Sequence, residues 1–286
     1  MDSCCCPPAV CSICLAAQPR RMGKLCKLCR TQKLHRQPPD PRDHEWQLSR
    51  SLSDCPRAFV LNHFPAAMDQ AGISACAVNA CAVAFNYCLA QQGVAGYRAS
   101  RMFLYYNTRR HVMKLRNMGV DSGCNLRDVC KALSKFGACE EGIWPYSKAL
   151  LATEPPGHLY AAARRVPACT YAQVPQTLQQ MVSCLLHHHP IMMGMSVYSN
   201  IRDVRRSDGV VSMPGPGDSK LGTHAVLVCG YNLETRRFVL QNCWGVRWGN
   251  HGRFEVPMEF ALDASHCWDL WTLKKKDGLR HPPSPP

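Results

Sequence analysis

One apolar stretch limits what this chain can fold into more than any other. Residues 69–89 read DQAGISACAVNACAVAFNYCL, with neither proline nor glycine after Gly72. Closely spaced alanine, cysteine and valine are typical of a helix that is buried on most of its faces. The run is interrupted by Asn79 and Asn86 and is too short to cross a membrane. It therefore predicts a central buried helix in a globular domain.

Cys76 falls at the predicted N-terminal end of this helix. Backbone N–H groups there have no helical partner and the helix dipole is positive, so a thiolate is favoured over a thiol. Gln70 lies six residues upstream, close enough to fold back over the same helix end. On this stretch alone, a core helix with an incidental buried cysteine is the favoured interpretation.

A second informative stretch lies far downstream. Residues 222–232 read GTHAVLVCGYN, and residues 236–256 read RRFVLQNCWGVRWGNHGRFEV. AVLVCGY and FVLQN are typical of two strands joined by a turn. This pattern places His224 at the start of the first strand and Asn242 at the end of the second.

The two stretches together resemble the papain-like cysteine peptidases. That family's pattern has a glutamine, five residues and a cysteine, then HAV with GY, then N-x-W-G-x-x-W-G. The chain has Gln70 and Cys76, His224 in HAV, and Asn242 with Trp244 in NCWGVRWG. His224 follows Cys76 by 148 residues, within the family interval of about 130–150 residues. Compact members of this kind occur in bacteria and in large DNA viruses.

The resemblance implies an α+β, two-lobed fold, with a helical left lobe and an antiparallel, β-barrel-like right lobe. It also implies an endopeptidase that acts through a Cys76 thiolate and a His224 imidazolium and forms an acyl-enzyme thioester. Asn242 would orient the imidazole and Trp244 would shield that contact from water. Gln70 and the Cys76 N–H would stabilise the oxyanion. Catalysis would need no cofactor.

The resemblance also indicates the substrate cleft. Gly123, Cys124 and Asn125 correspond to residues that line it, and they would contact the substrate. Many members carry a glycine pair next, where this chain has Leu126 and Arg127. A family cysteine that forms a disulfide is replaced by isoleucine at residue 73.

Composition limits the class of protein and its partners. The chain has 286 residues, 46% hydrophobic and 19% charged, as expected for a globular protein. A net charge of +14 favours acidic partners, nucleic acid or an anionic surface, although it could serve only to steer substrates. Because the start MDSCCCPPAVCSIC does not resemble a secretory signal, we expect an intracellular protein whose 19 cysteines are mostly reduced. A viral source would place it in the host cytoplasm or the virion.

We expect residues 1–50 to form a separate basic section that includes a linker at residues 37–43. Its paired CxxC motifs could supply four thiolates to a structural zinc ion, from Cys11, Cys14, Cys26 and Cys29. A cysteine-rich leader without metal is the alternative. Residues 51–275 would form the peptidase domain, and residues 276–286 a disordered basic, proline-rich tail.

Two other functions remain open on the sequence. The papain-like domain could bind peptides without cleaving them, or the basic zinc-containing section could act as an adaptor for nucleic acid or another partner. The catalytic positions favour an active enzyme, because each retains a competent residue type. The section before Cys76 is shorter than the family's usual inhibitory propeptide, so we do not expect a secreted zymogen.

Overall fold

The apolar stretch forms helix α1 (Cys76–Ala90) in the computed structural model of the protein. The structure describes residues 34, 36–47, 51–205 and 207–275. All residues of α1 except Cys88 and Ala90 are buried, which confirms the prediction of a central buried helix. The four cysteines predicted to bind zinc and the tail at 276–286 lie outside the described residues.

Among the described residues, five further α-helices accompany α1, and they are α2 (Arg101–Asn107), α3 (Leu126–Phe136), α4 (Gly157–Arg164), α5 (Leu178–Leu186) and α6 (Met258–Leu262). A π-helical turn at Thr108–Val112 extends α2, and short 3-10 turns lie at Leu52–Asp54, Lys148–Leu150 and Ser199–Arg205. Helix α3 ends at Gly137, whose φ of 68° suits glycine. Helix α5 begins after Thr177, whose side chain caps it by accepting a hydrogen bond from the Gln180 N–H.

In the part of the chain that the structure describes, seven strands form one antiparallel sheet, and they are β1 (Ala58–Val60), β2 (Cys169–Gln173), β3 (Ile191–Tyr198), β4 (Lys220–Asn232), β5 (Arg237–Gln241), β6 (Arg253–Pro257) and β7 (Cys267–Lys275). Their order is β2-β7-β3-β4-β5-β6, with β1 paired to β4. The predicted hairpin is confirmed as β4 and β5. Strand β4 starts at Lys220, so His224 lies inside the strand, while Asn242 directly follows β5.

The apolar interior is divided between two main clusters. One surrounds α1 and includes Val83, Phe85 and Leu126. The other lies on the sheet and includes Val226 and Phe254. This arrangement confirms the predicted α+β, two-lobed fold. Within the residues that the structure covers, no helix is both long and apolar enough to span a bilayer.

The segment predicted as a linker lies against the domain. Asp43 forms an ion pair with Arg127 of α3 at 2.7 Å. The Trp46 N–H donates to the Gln173 carbonyl at 2.7 Å, and the Gln173 N–H donates to the His44 carbonyl at 2.8 Å. Trp46 is 2% exposed. Residues 36–47 therefore pack on the two-lobed domain, while the predicted boundary at residue 50 stays a prediction.

Candidate active site

Cys76 is the first residue of α1, with Ala75 as an N-cap that makes no side-chain hydrogen bond. The backbone of Ala225 hydrogen-bonds toward the Cys76 sulfur. Because Ala225 directly follows His224 in β4, this contact brings the thiol at the helix end next to the strand that carries the histidine. The structure thus joins the two stretches that the sequence singles out.

His224 is held by Asn242 on one side of its ring. His224 Nε2 lies 2.8 Å from Asn242 Oδ1. An amide oxygen can only accept, so Nε2 carries the proton and donates it. The opposite nitrogen, Nδ1, is buried and has no hydrogen-bond partner among the described residues. A neutral imidazole in this tautomer has its basic lone pair on Nδ1, free to take a proton.

Burial controls the protonation of both groups. It raises the pKa of Cys76 to about 11, although backbone hydrogen bonds from Ala225 and Ala77 act in the opposite direction. Burial lowers the pKa of His224 to about 4, against a smaller upward effect of the bond to Asn242. Burial thus favours a neutral thiol and a neutral imidazole when each group is considered alone. The thiolate–imidazolium pair expected from the sequence stays a prediction.

Gln70 lies against the same site, 5% exposed. Its backbone N–H donates to the Cys243 carbonyl at 2.8 Å. The Cys243 thiol donates to Gln70 Oε1 at 2.9 Å, and Gln70 Nε2 donates to the Ile73 carbonyl at 3.1 Å. An amide nitrogen has two protons, so one remains for another acceptor. Cys243 is a site residue whose positioning contact the sequence analysis did not identify.

A buried arginine fixes the loop that carries Gln70. Arg101 Nη1 donates to the Asp69 carbonyl and to Asn79 Oδ1, both at 2.8 Å. Its Nε forms an ion pair with Glu141 at 2.7 Å, and its guanidinium lies 3.7 Å from the ring centroid of Tyr146. Tyr146 Oη in turn donates to the Gln70 carbonyl at 2.9 Å. These contacts restrict the loop before α1 to one position.

Asp121 holds the backbone of Ser74, two residues before the start of α1. Its Oδ2 accepts the Ser74 N–H at 2.8 Å, and its Oδ1 accepts the Tyr105 hydroxyl at 2.5 Å. The Gly123 N–H donates to Tyr105 Oη at 3.0 Å. No local pattern predicts this network, because its members come from three separate parts of the chain.

The aromatic pair after β5 covers the histidine. The rings of Trp244 and His224 have centroids 4.9 Å apart with planes at 31°. Trp248, 1% exposed, meets Trp244 edge to face at 4.9 Å. The indole of Trp244 is therefore placed where it can restrict water at the imidazole.

These contacts can be set against known proteins. A model described as papain family cysteine protease matches residues 67–267, more than half of the chain. The chain belongs to the papain family. The enzyme is thus a papain-like cysteine peptidase, acting on peptides or proteins, as its sequence motifs predict.

Relatives of known source and structure agree with this assignment. An uncharacterised peptidase C1-like protein of Acanthamoeba polyphaga mimivirus is 29% identical over 219 residues, covering 73% of this chain and 69% of the relative. Xylellain, a cysteine protease from Xylella fastidiosa, superposes with a TM-score of 0.76 at 28% identity, covering 85% of this chain and 95% of its own. Procathepsin L 3 of Tenebrio molitor, with a TM-score of 0.60 at 15% identity over 84% of this chain and 76% of its own, shares the fold.

The three residues expected to line this papain-family cleft directly precede α3. Cys124 is buried and belongs to the same apolar cluster as Cys76. Gly123 has a φ of 73°, which favours glycine. Asn125 is the N-cap residue of α3 and donates to Asp128 Oδ2 at 3.1 Å. Of the three residues, Cys124 is the one that shares the apolar cluster of Cys76.

Leu34, from the N-terminal part of the chain, contacts the strand residue that precedes His224. The Leu34 N–H donates to Thr223 Oγ1 at 3.0 Å, and the Thr223 hydroxyl donates to the Leu34 carbonyl at 2.9 Å. Leu34 is 4% exposed, in the same apolar cluster as Cys76. A Cβ on Gly194 would lie 2.7 Å from Leu34 Cδ2, so glycine makes room for this side chain. Leu34 thus packs beside Thr223, the residue that directly precedes His224 in β4.

Metal binding was expected outside this site. Throughout the part of the chain that the structure describes, no group of three or more histidine, cysteine or carboxylate residues is arranged to hold a metal ion. The predicted zinc ligands Cys11, Cys14, Cys26 and Cys29 are not among those residues. Their zinc site stays a prediction.

Proposed function

We propose that Cys76 is the nucleophile of the peptidase and His224 its proton acceptor. The observation that supports this most strongly is the His224–Asn242 hydrogen bond at 2.8 Å, which leaves Nδ1 without a partner among the described residues. Cys76 is linked to the same strand through the Ala225 backbone. The thiol and the basic nitrogen thus belong to one buried site.

The reaction starts with proton transfer. Cys76 Sγ gives its proton to His224 Nδ1, which creates the thiolate and imidazolium from the neutral pair. The thiolate attacks the carbonyl carbon of the peptide bond, and the carbonyl electrons move to the oxygen. The Cys76 N–H and the remaining Gln70 amide proton stabilise that oxyanion.

Collapse of this intermediate completes acylation. The carbon–nitrogen bond breaks, His224 gives its proton to the leaving amine, and a Cys76 thioester remains. His224 then accepts a proton from water, which attacks the thioester carbon. The carbon–sulfur bond breaks, the carboxylic acid product leaves, and the Cys76 thiolate takes the proton back from His224. Asn242 keeps the imidazole in the required tautomer throughout, and Trp244 limits water at this contact.

A peptide-binding protein without catalysis is the alternative from another class. It is less well supported, because a chain that only binds peptides has no need for a cysteine, histidine and asparagine in one network. Cleavage of a fluorogenic peptide separates the two. We expect Cys76→Ala to abolish cleavage and Cys81→Ala, from the same helix, to retain it. Cleavage that persists in Cys76→Ala at an unchanged melting temperature would reject this nucleophile.

We also propose a structural zinc ion in the N-terminal section, held by the four CxxC cysteines and taking no part in the reaction. The motif spacing supports this, and the basic residues around it suit an acidic or nucleic-acid partner. Metal analysis of the full chain and of a chain starting at residue 34 tests it. We expect one zinc per full chain and none in the shorter one. Zinc retained in the shorter chain would contradict the assignment.

A further inference from the structure

The far end of the catalytic helix carries a second pair of thiols. Cys88 lies in the last turn of α1, and its sulfur is 3.2 Å from that of Cys169, the first residue of β2. Both are free cysteines. We propose that Cys88 and Cys169 form a reversible disulfide when the protein meets a low-molecular-weight disulfide such as oxidised glutathione.

Cys88 is the thiol that an oxidant can reach. It is half-buried, whereas Cys169 is 3% exposed. Gln92 Nε2 lies 3.5 Å from the Cys88 sulfur. The hydrogen bond from Cys169 lowers the pKa of Cys88, and Lys275, which faces Cys169 across β2 and β7, acts in the same direction. Cys88 is therefore the thiolate-forming partner, and Cys169 the resolving one.

The exchange proceeds in two steps. The Cys88 thiolate attacks one sulfur of oxidised glutathione, breaking its disulfide, forming a mixed disulfide and releasing one glutathione thiolate. Cys169 then loses its proton to water, attacks the Cys88 sulfur and releases the second glutathione. Two protein thiols are oxidised and one glutathione disulfide is reduced to two thiols.

A neighbouring pair provides an internal comparison. Cys81 of α1 and Cys130 of α3 share a hydrogen bond that raises the pKa of Cys81 well above its usual range. Both are fully buried, at 0% exposed. Proximity alone would make this pair equally reactive, whereas access to an oxidant favours only Cys88. We expect Cys81 and Cys130 to stay reduced.

The bond would join the helical lobe to the sheet without reaching the active site. Cys88 is 12 residues after Cys76 on one helix, which is about 18 Å at 1.5 Å per residue. Closing the long loop from residue 88 to residue 169 restricts the unfolded chain, so the oxidised protein should be more resistant to unfolding. The reaction of Cys76 itself does not depend on this bond.

The test uses the full chain carrying Cys76→Ala, so that the proposed nucleophile cannot react with the oxidant. The protein is incubated with oxidised glutathione, free thiols are alkylated, and non-reduced peptides are mapped by mass spectrometry. Because the tryptic peptides also contain Cys81 and Cys184, backbone fragmentation assigns the bond. Thermal unfolding is followed before and after oxidation, and again after dithiothreitol.

We expect a Cys88–Cys169 linked peptide and a melting temperature raised by several degrees, both reversed by dithiothreitol. Adding Cys88→Ser or Cys169→Ser to the Cys76→Ala protein should remove both the linked peptide and the rise in melting temperature. Adding Cys130→Ser should leave both unchanged. Stable glutathione on Cys88 without the linked peptide would overturn the proposal. So would a link from Cys81, or an unchanged rise in melting temperature in the Cys88→Ser protein.

Discussion

Asn242 accepts a hydrogen bond from His224 Nε2 at 2.8 Å, and this single contact decides which nitrogen of the histidine can act as a base. The backbone N–H of Cys243 donates to the same amide oxygen, also at 2.8 Å. Asn242 is itself fixed by its N–H, which donates to the Gly252 carbonyl at 2.8 Å. The orientation of the base is thus built into the chain after β5.

Asn242→Ala should lower kcat/KM for a fluorogenic peptide about 10- to 100-fold. The lost hydrogen bond supports an imidazolium during the reaction, and such bonds contribute about 1.5–3 kcal/mol. Asn200→Ala, which removes a surface bond to the Ser212 carbonyl, is the matched control and should leave the rate unchanged. A wild-type rate in the Asn242 variant would contradict the role of this residue.

The pH profiles of the wild type and of Asn242→Ala give a second readout of this hydrogen bond. Burial lowers the pKa of His224 to about 4, and the bond to Asn242 raises it in part. Since His224 must be neutral to accept the thiol proton, kcat/KM should fall as pH drops through about 4 in the wild type. Without Asn242 the pKa falls further, so the acid limb should move to lower pH. Movement toward the ordinary histidine value would show that burial is not the dominant effect.

Gln70→Ala should reduce peptide turnover by roughly 10²–10³-fold, the usual effect of losing one oxyanion donor. Alkylation of Cys76 by a small reagent forms no oxyanion, so its rate should stay near normal. Cys243→Ala removes the bond to Gln70 Oε1 and the 3.7 Å contact of the thiol with His224 Nε2, and should cost about 2- to 10-fold in turnover. Equal losses in turnover and alkylation for Gln70→Ala would show that this residue holds the site together structurally.

Sequence reasoning was sufficient where chemistry depends on short motifs. HAV with GY and NCWG fixed the β4–β5 hairpin around His224 and Asn242, and the apolar run predicted α1. It was insufficient where contacts join distant segments. Asp121 and the pair of Leu34 and Thr223 carry no local pattern, and the protonation of Cys76 depends on how deeply the completed fold buries it.

The contact of Leu34 with Thr223 leads to a further prediction. Leu34 contacts Thr223, which directly precedes His224, and it lies in the same apolar cluster as Cys76. We therefore expect the Leu34 side chain to compete with a peptide substrate for space beside the active site. Leu34→Ala should therefore lower KM, even though losing a buried leucine costs about 2–5 kcal/mol of stability.

Trp46→Ala is the control for this prediction. Trp46 belongs to the same segment and is equally buried, but it packs in the other apolar cluster. Its loss should lower the melting temperature and leave KM unchanged. An equal fall in KM for both variants would indicate general loosening of the segment, and an unchanged KM in Leu34→Ala would exclude competition.

The most direct test of the account is to find which thiol reacts as the nucleophile. The reduced full chain, with 19 cysteines, is treated with an epoxysuccinyl peptide probe, and the adduct is located by intact mass and peptide mapping. We predict one adduct on Cys76, absent in Cys76→Ala and formed much more slowly in His224→Ala. An adduct on any other cysteine, or labelling that continues in Cys76→Ala, would contradict the proposed active site.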